Sequence, residues 1–214
     1  ILGKPTDVMV KDSSGNIVSR KWMDYNSSTG NLMAEEACIS DTPATGCLNR
    51  NATQNALTEY TYHPEGNVWT IKDPLNHTTT ITYDSTKVYP YQTINALGHV
   101  TTTVFDAGLG KVTQTIPPHL YGTSYSITNQ YDEFGRLILE NRPDGGWTWR
   151  QYNLTGTPNL DNQYIATQEH VVNGASVLDH YSYQFMDGLA RAYWMQRTAP
   201  QGRIVNAGIL YDNL

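Results

Sequence analysis

The sequence predicts an all-β fold of consecutive antiparallel β-hairpins, and three observations carry that prediction. Threonine and aromatic residues dominate, with 26 Thr, 15 Tyr and 5 Trp against 3 Phe in 214 residues, and such side chains fit a pleated, half-buried surface. Seventeen Gly and 10 Pro punctuate the chain as short strands and turns require. No stretch of a dozen residues sustains a 3.6-residue apolar period, so very little helix is expected. At 24.0 kDa the chain makes one large domain or two small ones and needs no disulfide for its core. Fourteen basic residues against 20 acidic ones, a net charge of −6, offer no cationic surface to nucleic acid or anionic lipid. No apolar run reaches the ~20 residues of a membrane-spanning helix, and no basic-then-apolar leader marks a signal peptide.

Residues 1–59 read as an irregular β lead-in. Asp12-Ser13-Ser14-Gly15-Asn16 is a turn flanked by Val8, Val10, Ile17 and Val18, so a hairpin opens the chain. The polar loop Asn26 to Asn31 follows, then a short acidic stretch with Glu35 and Glu36. Cys38 and Cys47 bracket a loop short enough for a disulfide to close; two ordinary thiols are the other reading.

From residue 60 to 214 the chain repeats. An aromatic residue, a turn former and then a Gly recur in Tyr62-His63-Pro64-Glu65-Gly66, Tyr131-Asp132-Glu133-Phe134-Gly135 and Tyr152-Asn153-Leu154-Thr155-Gly156. Looser copies start at Tyr83-Asp84, Phe105-Asp106, Met186-Asp187 and Tyr211-Asp212. The steps between leading residues are 21, 22, 26, 21, 34 and 25, a period near two dozen with an insertion at 160–178. Each copy predicts a hairpin turn. Asp132 accepts backbone N–H groups two or three residues on, and Gly135 supplies positive φ without a Cβ penalty. A second turn follows about ten residues later, as in Asp73-Pro74-Leu75-Asn76, Asn95-Ala96-Leu97-Gly98 and Arg142-Pro143-Asp144-Gly145. Two strands per unit result, with Thr79, Ile81 and Tyr83 opposite Thr78, Thr80 and Thr82, and Trp147 and Trp149 opposite Thr148, Arg150 and Tyr152. Tyr62, Tyr83, Phe105, Tyr131 and Tyr152 are expected to stack at successive turns along one edge. Sheet packing is the first reading of these aromatics; a sugar-binding platform at Trp69, Trp147 and Trp149 is the second.

Chemistry finds little foothold. The six His have no i, i+4 pair, so no metal site is expected, and no phosphate loop or nucleophile elbow is present. No cofactor is expected. Asp132, Asp144 and Asp187 each occupy a turn position whose capping role already accounts for a carboxylate, so the expectation is a protein without an active site.

At these turns the sequence resembles the YD-repeat or RHS-repeat family. The residues that carry the resemblance are Tyr60 to Val68, Tyr131 to Ile138 followed by Arg142-Pro143-Asp144-Gly145, and Asp187-Gly188-Leu189-Ala190-Arg191. It looks most like bacterial RHS proteins of the Tc-toxin B-component and SpvB-linked type, with teneurins as animal relatives. Departures are Ala190 in place of Gly, no turn Gly after Tyr83-Asp84, and an extra residue between Asp106 and Gly110. The resemblance implies a curved sheet that is one segment of a spiral shell, whose partners are flanking repeats of the same parent chain and an enclosed toxin or other cargo polypeptide. It also implies a secreted or cell-surface protein of bacterial origin. The competing expectation is an extracellular adhesive or glycan-binding module. The opening at Ile1 and the close on Tyr211-Asp212-Asn213-Leu214 read as a piece of something larger, which should self-associate through its sheet edges.

Overall fold

The computed structural model describes residues 3–38, 50, 55–154, 163–187, 191–198 and 204–208. Among these residues sixteen strands follow one another: β1 (Asp7–Lys11), β2 (Ile17–Tyr25), β3 (Leu32–Ala37), β4 (Ala56–Tyr62), β5 (Val68–Lys72), β6 (Thr78–Tyr83), β7 (Pro90–Ile94), β8 (Val100–Asp106), β9 (Lys111–Ile116), β10 (Ile127–Tyr131), β11 (Leu137–Asn141), β12 (Trp147–Leu154), β13 (Gln163–Asn173), β14 (Ser176–Met186), β15 (Ala192–Thr198) and β16 (Ile204–Gly208). A single 3-10 turn, Pro118–Leu120, is the helical element among the described residues. The strands pair in chain order, each antiparallel to the next, as consecutive hairpins require.

By compactness the chain forms two units, Ile1–Thr102 and Thr103–Leu214. In the first, β1 through β7 pair in sequence and β7 pairs with the start of β8. Thr61 meets Thr70, and Thr70 meets Thr80, across neighbouring strands; the Thr61 and Thr70 hydroxyls share a 2.5 Å hydrogen bond, a cross-strand pair of the kind that stabilises sheets. The lead-in carries three regular strands and a copy of the repeat that the sequence reading passed over. Tyr25 closes β2 at a register shift, Asn26 heads the turn, and Gly30 takes φ 77°. The two glutamates of the acidic stretch go to opposite faces of β3. Glu35 pairs with Lys21 at 2.9 Å, while Glu36, only 3% exposed, accepts from Asn55 Nδ2 at 2.6 Å and lies 3.6 Å from Arg50 Nε.

In the second unit the described part of the insertion, residues 163–178, lengthens one hairpin. β13 and β14 are 11 residues each and pair from Tyr164↔Phe185 to Asn173↔Ser176. They are closed by Gly174-Ala175, with Gly174 at φ 60°, where a two-residue hairpin turn needs positive φ at its first position. The register sets Trp147 and Trp149 against His170 and Gln168 on one face, and Thr148 and Arg150 against Glu169 and Thr167 on the other, the two faces that alternation predicts.

Burial is slight. Among the described residues the buried apolar side chains are Trp22, Met23 and Ala166, and the buried polar ones Glu36, Thr102 and Thr148. The accessible surface is 14303 Å², against roughly 9,900 Å² expected of a folded monomer of this mass. Among the described residues the strands are held chiefly by their ladders, their cross-strand pairs and their turns.

β1 and β16 end the strand order with one neighbour each, and every residue in both is exposed. Unpaired edges of this kind recruit further strands. Light scattering of the 214-residue chain is expected to show dimers and larger species that grow with concentration. The double variant Val8→Lys, Val10→Lys should shift the distribution toward monomer; a monomer at all concentrations would refute edge pairing.

Candidate functional site

The most ordered chemistry in the molecule lies in its turns. In the turn after β10, Asp132 N donates to Arg136 O at 3.0 Å and Gly135 N to Asp132 O at 2.9 Å, with Gly135 at φ 73°. The Asp132 side chain completes the loop, Oδ1 accepting from Phe134 N (3.0 Å) and Arg136 N (2.9 Å). The capped N–H groups are therefore those two and four residues on, because the type I turn and its glycine bulge place the N–H three on against the backbone carbonyl instead. Asp12, Asp73 and Asn95 make the same pair of side-chain contacts. In the longer loops at Asn26 and Asp106 the caps fall two and three residues on, and the glycine N–H reaches back four residues, at 2.8 Å in both.

Where a turn residue departs from the pattern, the geometry survives by substitution. Lys87 stands in for the missing Gly after Tyr83-Asp84, with φ 62° and the same N–H bond back to Asp84 O at 3.0 Å. Arg142 heads its turn without a carboxylate, so Asp144 Oδ1 caps Gly146 N at 2.8 Å. The freed Arg142 guanidinium reaches across two strands, to Thr148 Oγ1 and to His170 O, both at 2.9 Å. A Cβ at Gly146 would stand 2.8 Å from Arg142 Nη2 and 3.0 Å from His170 O, so this glycine is required by close approach, not by φ.

Two further residues of the motif were not read from the sequence. The fourth residue after the Asp returns its side chain to the carboxylate: Asn16 to Asp12 (3.1 Å), His77 to Asp73 (3.0 Å), Arg136 to Asp132 (2.6 Å) and Arg191 to Asp187 (2.8 Å). The signal was present in the spacing D-x-x-x-R/H/N. The leading tyrosines, expected to stack, instead tie one repeat to the one before. Tyr62 donates its hydroxyl to Leu32 O (2.6 Å), Tyr131 to Val112 O (2.8 Å) and Tyr152 to Leu137 O (3.1 Å). Each acceptor is the first or second residue of the strand that leaves the preceding turn. Tyr62 and Tyr83 stand on β4 and β6, and Tyr131 and Tyr152 on β10 and β12; two strand spacings, about 9.6 Å, separate the members of each pair, which is beyond the range of a ring contact. Tyr83 meets the edge of His63 at 5.7 Å, and Arg136 lies 4.5 Å over the Tyr152 ring, a cation–π contact. Phe105 is the penultimate residue of β8, beside Asp106.

Asp132, Asp144 and Asp187 sit on three separate turns, with the whole of β11 between the first two. Hydrogen bonds hold several turn carboxyls below the ordinary Asp value. The side chain of Asn16 does so at Asp12, the backbone N–H of His77 at Asp73, and the Thr86 hydroxyl at Asp84. At Asp132, partial loss of solvation pushes upward, and the bonds from Arg136 and Phe134 outweigh it. Among the described residues no three His, Cys, Asp or Glu side chains gather as a metal site, and no helix is long and apolar enough to cross a membrane. Cys38 is disulfide-bonded; Cys47, Gly156 and Tyr211 lie outside the described residues. Trp69, in the first unit, is 47% exposed and tilts against His63 at 5.6 Å. Trp147 and Trp149 share a face in the second.

A meander of capped hairpins tied turn to turn by tyrosine hydroxyls defines a repeat-built sheet. No family model matches the chain, and no curated protein matches it. Solved structures do. The chain is similar to part of the crystal structure of TcdB2–TccC3, with a TM-score of 0.51 and 11% identity over 95% of this chain and 13% of that one. It is also similar to part of the Tc holotoxin pore of Photorhabdus luminescens, with a TM-score of 0.49 and 12% identity over the same shares. The chain thus spans about an eighth of the chains it matches, and what the first likeness shows is the fold.

Two predictions follow from the turn geometry. Gly135 has no atom closer than 3.5 Å to an added Cβ, so Gly135→Ala tests φ alone and should lower stability by about 1 kcal/mol, while Lys87→Gly should raise it by about as much; urea midpoints measure both. The depressed Asp values contribute stability that is present above the unfolded-state pKa, about 4, and is lost as pH falls through the folded values. The urea midpoint should accordingly drop between pH 5 and pH 3, on the order of the carboxylate range. Asp132→Asn, which keeps the cap as Asn95 does, should flatten that drop.

Proposed function

We propose that the chain is a wall segment of an RHS-type shell that encloses a toxic or unfolded cargo polypeptide, pairing with flanking repeats of the same parent protein. One observation carries this reading: the sheet is specified strand by strand through its turns while both faces stay largely uncovered, with 14303 Å² of accessible surface. A free-standing enzyme or binding domain closes a core around itself; a wall needs two faces, one toward its contents and one toward solvent. The likeness to part of TcdB2–TccC3 and the Tyr-Asp turns support it. In this reading the segment has no catalytic role, its carboxylates being committed to turns, and the parent protein is secreted or displayed at the surface of a bacterium.

The test is protection. The parent polypeptide, expressed with whatever follows these repeats, should form a hollow particle in electron microscopy, and the enclosed segment should survive a protease that digests it when it is expressed alone. A solid particle, or equal digestion in both cases, would overturn the proposal.

A further inference from the structure

The second unit holds a site that the wall reading does not use. Trp147 and Trp149 alternate on β12, so they rise from the same face, between Asn141 and Leu139 of β11 and His170 and Gln168 of β13. Leu139, Asn141, Trp147, Trp149 and Gln168 line a shallow depression of about 430 Å³. Trp147 is fixed by a parallel stack on His170, 5.2 Å between centroids and 3° between planes, and His170 is held in turn by Asp179 at 2.7 Å. Trp149 is left 39% exposed. The two amides are oriented by cross-strand hydroxyls, Asn141 Nδ2 donating to Thr128 Oγ1 (3.1 Å) and Gln168 Nε2 to Tyr181 OH (2.8 Å). Among the described residues nothing donates to either amide oxygen, so both remain open as acceptors.

We infer that this depression is a binding site for a neutral saccharide chain. None of the five lining side chains is charged, and the neighbouring carboxylate on this face, Asp179, is committed to His170 at 2.7 Å, whereas the opposite face of the same strands carries Glu140, Arg150 and Glu169. A ligand with charged groups would give up hydration with no counter-charge to replace it. A sugar ring brings a flat C–H face for an open indole and hydroxyl donors for the two fixed carbonyls, and few polar contacts beside aromatic surface are what orient a small ligand. A peptide has no purchase by strand addition, because β12 is hydrogen-bonded to β11 and β13 on its two edges. Nucleobases also stack on indoles, but the single-stranded polymers that carry them require a cationic groove. Trp69 belongs to the other unit and is not among the residues that line this depression.

The experiment uses the 214-residue chain labelled with 5-fluorotryptophan, its five ¹⁹F resonances assigned by single Trp→Phe variants. The probes are hexasaccharides of β-1,4-glucose, β-1,4-N-acetylglucosamine, α-1,4-glucose and β-1,4-mannose, with reduced, carboxymethylated casein as a polypeptide probe. At least one sugar should shift the Trp149 and Trp147 lines and leave Trp69 in place. Trp149→Ala should weaken that binding at least tenfold with an unchanged urea midpoint, and Trp69→Ala should leave it unaltered. The inference is overturned if no sugar moves the Trp149 line, if Trp149→Ala binds sugar as well as the parent chain, or if casein alone shifts these lines.

Discussion

Most of the hairpin turns in this structure rest on a carboxylate or amide that caps the head of the turn. A lone two-stranded hairpin is marginal in water, and this chain has no thick core to rescue it. The cap removes the problem locally: two N–H groups that would otherwise face solvent are bound by Oδ1, a third is bound by the backbone carbonyl, and the positive-φ residue that follows fixes the register. Register in turn decides which side chains face which side. The alternation of aromatic and charged rows across β12 and β13 thus traces back to turns at Arg142 and Gly174.

What the turn begins, the tyrosine hydroxyl extends. Tyr131 and Tyr152 each reach across to the adjoining strand, to a carbonyl near the start of the strand that left the preceding turn, so a repeat is anchored to its predecessor at the edge as well as through the ladder. Arg142 does the same on the opposite side of β11, from its turn to β13. Stability then accrues from nearest neighbours, as in other repeat proteins, and single large side chains need not be fully buried for the sheet to hold.

Much of this was legible in the sequence, and the failures are instructive. Alternation and the Tyr-Asp-x-x-Gly spacing gave the strands, the antiparallel order and the positive φ of Gly66, Gly135 and Gly145. The copy at Tyr25-Asn26 escaped because its glycine comes one residue later, although Asp106 and Gly110 show the same longer loop. Lys87 could not be foreseen as a left-handed residue, since a lysine carries no signal for that conformation; only the ladder on either side imposes it. The tyrosines were read as a stack because period reveals proximity along an edge and says nothing of where a hydroxyl points. The candidate sugar contacts divided for a similar reason: the two-residue spacing of Trp147 and Trp149 assigns them one face, while the distance in sequence to Trp69 carries no spatial information.

The strict chain order of the strands has a mechanical meaning. Among the described residues every strand between β1 and β16 is bonded to the strands just before and just after it in sequence, so a pull applied at one end loads one ladder at a time, and peels it rung by rung instead of shearing many rungs together. Resistance at any moment is that of a single hairpin, and each freed strand pays out about 3.3 Å of chain per residue. A sheet assembled this way yields in small, even steps to a machine that draws it through a narrow opening, and the same local contacts let each hairpin close again without waiting for distant ones.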